Sequence, residues 1–433
     1  MPQLVSQQPP PPDYYAANLR QLLAEVRLRC RALLSDDEAR FIHACLSASA
    51  PAQRLFARLL SRRGPWLRVD SLNYPEVEGC ERALAELVAA RLVSRDPRAP
   101  ADALLNLFTR DELSALFPRI KGRSKSAWIL ACVGRYPDAA IRRRLRQRAG
   151  WLCVEPWQAY SVCRLLYFGD DRQDLSAFVV QDLGILRYEP YELGPHTRPF
   201  DCRQQVEGYL GLRGLAIRSR QLSVLPELAP RLLTGLWPRP DTRVERRLRD
   251  KLLLRLARWH ERRGELDQAL QCYGRAMAHP ARERRARILR RLGDERGVNG
   301  LISEILAAPW SADEEDFARR FARRRGGPRR PRAEGLVSTL CTLPGPTPAV
   351  IEGLAIRLLA ANVGAGWHLE NRFPLGLAGL LYWDEIYAPI KGAFTHAFQL
   401  GPQELFWADF APSRRALLQS RTESLRAPGA VAA

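Results

Sequence analysis

The residues that could do covalent or metal chemistry are few in this chain and widely spaced. Of 67 Lys+Arg, only Lys121, Lys125, Lys251 and Lys391 are lysines, so an amine can act at four places only. Nine cysteines run from Cys30 to Cys341 without a C-x-x-C pair. That spread disfavours a disulfide framework and a zinc finger, and it fits a reducing, cytoplasmic setting. Six histidines form no H-E-x-x-H or paired cluster and read as surface or core imidazoles. A P-loop and a dinucleotide fingerprint are both absent, which argues against nucleotide-driven motors and hydride transfer. The chemistry that remains is electrostatic. Lys121-Gly-Arg123-Ser-Lys125 is a compact basic turn, and Arg319, Arg320, Arg323, Arg324, Arg325, Arg329, Arg330 and Arg332 form a second basic cluster. Both suit phosphate contacts.

The elements that must carry these groups are mainly helical. Length (433 residues) predicts two to four domains, and the 46% hydrophobic and 26% charged composition is that of a globular protein. No run of 18 apolar residues occurs, so neither a spanning helix nor a membrane partner is expected. Residues 1–12, with Pro9 to Pro12, predict a disordered leader rather than a secretory signal. Within 13–100, Leu19, Leu22, Leu23 and Val26 repeat at helical spacing, as do Leu55, Phe56, Leu59 and Leu60 behind Pro51. Trp66 to Val69 predicts a short strand, and 79–95 reads as one further helix. Helices with a short extended element fit a winged-helix-like domain and fit other bundles equally well.

Residues 101–134 present Thr109-Arg-Asp-Glu112, a capping box, then the basic turn, then a helix opened by Trp128, Ile129 and Leu130. Helix, basic turn, helix is the build of a SAP-like DNA-binding module and also of an ordinary helical hairpin. Over 135–204 the periodicity leaves Leu165 to Phe168, Phe178 to Val180 and Ile185 to Tyr188 open between helix and strand, before a turn-rich connector from Pro190 to Pro199. Residues 205–310 are helical throughout, with Leu256, Gly264, Ala269, Tyr273, Ala276 and Pro280 near the packing positions of a tetratricopeptide unit. No second copy is evident, so an irregular helical array is expected.

The charge is unevenly placed. Thr242 to Arg332 holds 24 Arg and one Lys against 13 Asp+Glu, a net +12 of the chain's +20. Either these are solvated helix faces, where arginine stems cover apolar surface, or they grip a polyanion, nucleic acid first. The cluster from Arg319 to Arg332, broken by Gly326, Gly327 and Pro328, reads as a basic linker or loop. Beyond Gly335 the balance is even, marking a boundary near 330.

Several blocks in order resemble the Fanconi-anaemia-associated nuclease family. Ser49 to Leu59 with Trp66 is similar to its N-terminal helix, Leu104 to Leu130 to its SAP module, and Leu256 to Pro280 to its tetratricopeptide-like segment. Most specific is Trp367-His-Leu-Glu370-Asn371 followed by Gly379 to Tyr387, which resembles the opening of its VRR-NUC nuclease domain. The resemblance implies a mainly α, multi-domain protein: a disordered leader at 1–12, a helical N-terminal DNA-binding domain at 13–100, a SAP-like module at 101–134, and a region of uncertain fold at 135–204. A TPR-like helical region with its basic linker follows at 205–332, then a partial nuclease domain at 333–425.

It further implies a metal-dependent phosphodiesterase that cuts 5′ flaps and trims strands 5′ to 3′ in interstrand-crosslink repair, with branched or flapped DNA as partner and Mg²⁺ or Mn²⁺ as cofactor. A hard cation of that kind takes carboxylate oxygens and acidifies the attacking water. Glu370 matches the family's first acidic metal ligand; the alternative is an exposed charge that suits a helix N-terminus. Lys121, Arg123, Lys125, Arg323, Arg324, Arg325, Arg329 and Arg330 are the expected DNA contacts. Asp384 and Glu385 match no motif carboxylate, and Tyr382, Trp383, Tyr387, Phe394, Phe398, Phe406 and Trp407 read as helix-packing aromatics rather than a base-stacking platform. The Asp of the family's G-x-P-D element and the acid and lysine of its E-V-K are not found: no lysine here has a carboxylate two residues before it. By that comparison the chain is expected to stop inside the nuclease domain and to cut little alone, and a second polypeptide completing the domain is a candidate partner. The alternative, from a different class, is a non-catalytic helical-repeat scaffold.

Overall fold

The computed structural model describes residues 13–426 apart from 63, 171–172, 179–185, 187, 224, 237–241, 324–352, 354, 357–359, 361–363 and 370–371. Its described residues are mostly helical, with one small sheet, and the chain divides into two compact units, residues 1–207 with 391–400, and the remainder.

The first unit opens with α1 (Tyr14–Arg29), α2 (Asp36–Ser47) and α3 (Ala50–Leu60). Ser35 and Glu38 form a reciprocal capping box at the start of α2, and Ser49 caps α3, whose first turn tolerates Pro51 because that amide has no helical partner. Leu55, Phe56, Leu59 and Leu60 are all buried, as their period requires. Each such side chain contributes about 1.5–3 kcal/mol of apolar transfer. The strand expected at Trp66 is β1 (Trp66–Arg68).

The reading of 79–95 as one helix is corrected. α4 (Cys80–Ala89) ends early, Arg91 turns the chain at φ 56°, and Val93–Arg95 is β2. Its partner decides this: β3 (Trp151–Val154) lies between β1 and β2, antiparallel to both, with Leu67 opposite Leu152 and Ser94 opposite Cys153. All four β3 residues are buried, so its sequence shows no alternation. Residues 96–150 are therefore an insertion between two strands of one sheet. They form α5 (Ala101–Leu105), α6 (Arg110–Leu116), α7 (Lys125–Arg135) and α8 (Asp138–Arg146) around Leu104, Phe108, Phe117, Trp128 and Ile141.

The ambiguous Leu165 to Phe168 run is the end of α9 (Trp157–Phe168), stopped by Gly169 at φ 70°. Phe178 to Val180 and Ile185 to Tyr188 fall largely outside the described residues. The connector from Pro190 to Pro199 carries no helix or strand. Residues 391–400 join this unit through their rings: Phe394 stacks on Tyr191 at 4.1 Å, and Phe398 lies 4.7 Å from Phe178.

The boundary between the units falls within α10 (Arg203–Arg218). In the second unit follow α11 (Leu228–Thr234), α12 (Arg243–Arg262), α13 (Leu266–Arg275), α14 (Ala281–Arg291), α15 (Glu295–Ala307) and α16 (Ala312–Arg323). Gly264 and Gly293 make left-handed turns, at φ 78° and 76°, between α12 and α13 and between α14 and α15. Leu256, Ala269, Tyr273 and Ala276 all enter one core. Buried Arg282 is bidentate to the fully buried Glu314, at 2.9 and 2.6 Å, beneath Trp310. Further on lie α17 (Arg372–Leu381), α18 (Trp383–Tyr387), α19 (Phe410–Ser413) and α20 (Arg415–Arg426). Buried Arg414 holds them, bonding Glu404 at 2.7 Å and the Glu385 carbonyl at 2.9 Å.

Candidate nucleic-acid interface

The basic turn is held from several sides. Thr109 and Glu112 form the capping box that starts α6. Glu112 also accepts twice from Arg68 Nη1 at 2.8 Å, while Arg68 donates to Asp70 and lies 4.5 Å from the Phe108 ring. The Thr109 backbone amide, with Arg68 beside it, brings the Glu112 carboxyl down to about 2. Arg110 donates to the Gly122 carbonyl at 2.6 Å. Gly122 sits so close to α7 that a Cβ there would lie 2.6 Å from the Trp128 amide nitrogen, and only glycine permits that approach. Ser124 caps α7, and Lys125 Nζ donates to the Asn106 carbonyl at 2.8 Å. Burial moves the Lys125 ammonium below its ordinary range. Lys121 and Arg123 are exposed and have no ion pair among the described residues. Lys125 thus anchors the turn at the end of α5, while Lys121 and Arg123 stay exposed.

The arginine-rich region divides the same way. Arg263, Arg284, Arg287 and Arg247 pair with Glu265, Glu261, Glu283 and Asp409. The cluster beginning at Arg319 was expected to be a loop, but its first three members lie on α16. Arg319 pairs with Glu315 and Arg320 with Asp316, one helical turn away. Arg323 closes that helix, and Arg324, Arg325, Arg329 and Arg330 lie outside the described residues. Arg258, Arg262, Arg291 and Arg296 are exposed without an ion pair among the described residues. The sequence did not single these four out, because only the pairing pattern separates them from their neighbours.

The aromatic reading holds in part. Phe394 and Phe398 are buried, and Tyr382 bonds Thr422 at 3.1 Å. Phe406 is different: it is 87% exposed and packs no helix. Trp407 lies under two cations, the Arg247 guanidinium at 4.0 Å and the Lys251 ammonium at 4.9 Å from the ring centre.

Residues 13–94 match the family model described as the FAN1 HTH domain. Over 433 aligned residues the chain is 34% identical to the Fanconi-associated nuclease 1 homolog of Pseudomonas aeruginosa, covering 95% of this chain and 75% of that protein. The chain belongs to the Fanconi-associated nuclease 1 family. The Arabidopsis thaliana homolog is 26% identical over 96% of this chain and 54% of its own length, so the chain spans about half of that relative. Among solved structures, paFAN1 bound to 2-nt 5′ flap DNA with gap superimposes with a TM-score of 0.74 at 30% identity, covering 97% of this chain and 79% of that one. The same protein bound to 1-nt 5′ flap DNA with gap gives 0.73.

Glu370, the metal ligand expected from the resemblance, lies outside the described residues. Among the described residues no three His, Cys, Asp or Glu side chains gather as a metal seat. Asp384 and Glu385 sit on α18, whose carbonyls at Glu385 and Ile386 receive Arg414.

Proposed function

We propose that this chain is the DNA-gripping part of a structure-selective DNA nuclease and that it recognises branched or flapped DNA. The observation that carries the reading is the likeness over 97% of the chain to a protein solved on 5′ flap DNA. Arg258, Arg262, Arg291, Arg296, Lys121 and Arg123 support it as exposed cations without an ion pair among the described residues. Such groups contact phosphates, which position a duplex without reading its sequence; recognition is then of DNA shape.

The helical insertion at 101–134 acts as the SAP-like module, and α12 with α13 as a TPR-like hairpin of the array at 205–332. Residues 13–100, completed by β3, serve as a winged-helix-like DNA-binding domain. Arg323 at the end of α16, with Arg324, Arg325, Arg329 and Arg330 beyond it, adds phosphate contacts, in a cytoplasmic protein. Glu370 is one carboxylate for Mg²⁺ or Mn²⁺, which when bound would polarise the scissile phosphate. No E-x-K follows it within these 433 residues, so cutting needs groups from outside them.

The test incubates the purified chain with Mn²⁺ and a labelled 5′ flap. Flap binding without cleavage is expected. Efficient cutting abolished by Glu370→Ala would overturn the dependence on outside groups, and failure to bind the flap at moderate salt would overturn the whole reading. A protein-binding helical scaffold is the second reading; the ion pairs of Arg284, Arg287, Arg319 and Arg320 on helix faces favour it.

A further inference from the structure

Arginines on the solvent face of a helix are commonly matched by carboxylates one turn away, because like charges at i,i+3 and i,i+4 destabilise the helix. Helices α14 and α16 follow that rule: Arg287 pairs with Glu283, Arg319 with Glu315 and Arg320 with Asp316. The solvent face of α12 does not. Arg255, Arg258 and Arg262 follow one another at i, i+3 and i+7 and so share one face. All three are exposed, and none is paired with a carboxylate among the described residues. The opposite face sends Leu252, Leu253, Leu256 and Ala257 into the core.

The acids of α12 are engaged elsewhere. Glu245 closes the capping box with Thr242. Asp250 accepts the Met277 amide at 3.1 Å, and Glu261 accepts from Tyr273 at 2.8 Å and from Arg284 at 3.2 Å. Arg255 is also held in place, its Nη1 donating to Ser219 Oγ at 2.7 Å and to the Ala216 carbonyl at 3.3 Å. Three guanidinium groups therefore stand along about 10 Å of helix, at the ordinary rise per residue. Only Arg262, in the last turn, gains from the helix dipole.

We infer that this stripe is a contact for the phosphates of one strand of duplex DNA. The inference rests on the DNA-binding reading above and deepens it by choosing one face of the second unit as the face that grips a duplex. Each strand of a duplex carries one phosphate per about 3.4 Å of axis, so the stripe is as long as about three linkages. Guanidinium suits the task, since its fork meets two phosphate oxygens at once. The occupant is a duplex and not an unpaired strand, because an unpaired strand is held by rings on which its bases stack. Trp259, the one Trp, Tyr or Phe of α12, packs against the core instead. The stripe belongs to the second compact unit and the basic turn at 121–125 to the first, so the two can be tested separately.

The test measures binding of the full chain to a labelled blunt duplex and to a 5′ flap by fluorescence anisotropy across a salt series. Arg258→Gln with Arg262→Gln is expected to lower the log–log salt slope for the duplex by about 1.8, two phosphates at about 0.9 each. Arg287→Gln with Arg319→Gln removes the same charge from faces that carry their own carboxylates, and it should leave the slope nearly unchanged. Both proteins should melt like the wild type, since only exposed side chains are altered. A wild-type slope in the Arg258, Arg262 protein, with the flap still preferred, would overturn the inference and spare the branched-DNA reading. An equal fall in both variants would overturn it too, by tracing the effect to net charge. So would loss of poly-glutamate binding with the duplex slope intact, which would make the stripe a protein contact. Duplex held through the stripe without preference for the flap would keep the inference and overturn the branched-DNA reading.

Discussion

Acidification should loosen the first unit through one histidine. His396 is 1% exposed, enclosed by Phe398 at 4.3 Å, Phe168 at 5.1 Å and Tyr167 at 5.8 Å, and neither ring nitrogen has a hydrogen-bond partner among the described residues. Burial, reinforced by the Arg29 charge and opposed by Asp170, pushes its imidazole down to about 3. The unfolded chain takes up this proton near the ordinary value of about 6.5. The folded value is depressed, so stability is complete above about pH 6.5 and is lost progressively as pH falls toward 3. From pH 7 to pH 5 the linkage relation gives a loss of about 2 kcal/mol. His396→Phe keeps an aromatic ring in the aromatic cage and removes the titration. The assay is hydrogen exchange of α9 amides at both pH values, corrected for intrinsic rates. The wild type should lose about 2 kcal/mol of protection, and His396→Phe should lose almost none. An equal loss in both proteins would refute the assignment to His396.

Three further outcomes follow from the same packing. Gly122→Ala should drive the basic turn off Trp128, at about 1–3 kcal/mol of overpacking, lowering both thermal stability and duplex affinity; Lys121→Ala should lower affinity alone, and a Gly122→Ala protein matching wild type in both would contradict the close approach. Glu112→Gln should cost about 1 kcal/mol through the lost charge-assisted bonds from Arg68, since glutamine can still complete the capping box. The wild-type carboxyl, depressed to about 2, makes its contribution above pH 4.5 and loses it as pH falls toward 2, so urea titrations of the two proteins should converge in acid. Arg282→Ala should be severe, about 3–5 kcal/mol, because Glu314 would remain buried without its guanidinium; limited proteolysis should then cut among α14 to α16, and an unchanged pattern would count against the pair.

Local chemistry was the most legible part of the fold. Thr109 with Glu112 announces a helix start by residue type and spacing alone, and Leu55, Phe56, Leu59 and Leu60 announce a buried face. β2 and β3 were not legible. Val93 to Arg95 becomes a strand only by pairing with Cys153 and its neighbours, some sixty residues on, and Trp151 to Val154 is too short and too evenly apolar to show a period of two. The candidate interface divides likewise. Its basic turn stands in the sequence as Lys121 to Lys125, but the anchoring of Lys125 to Asn106 is a tertiary fact. Arg319, Arg320 and Arg323 were grouped with the basic linker because Gly326 and Pro328 suggest a loop, whereas the i,i+4 partners Glu315 and Asp316 mark them as part of a helix. Phe406 was grouped with packing aromatics by composition; its exposure depends on where Arg414 and Arg247 fix the loop.

The central claim is that this chain holds branched DNA through its phosphates. The most direct measurement is binding of a 5′ flap and of an intact duplex of equal length across a salt series. The account predicts tighter binding to the flap and an affinity that falls steeply with salt, with a log–log slope of several units for several released counterions. Weak binding that is flat with salt and equal for the two DNAs would contradict it.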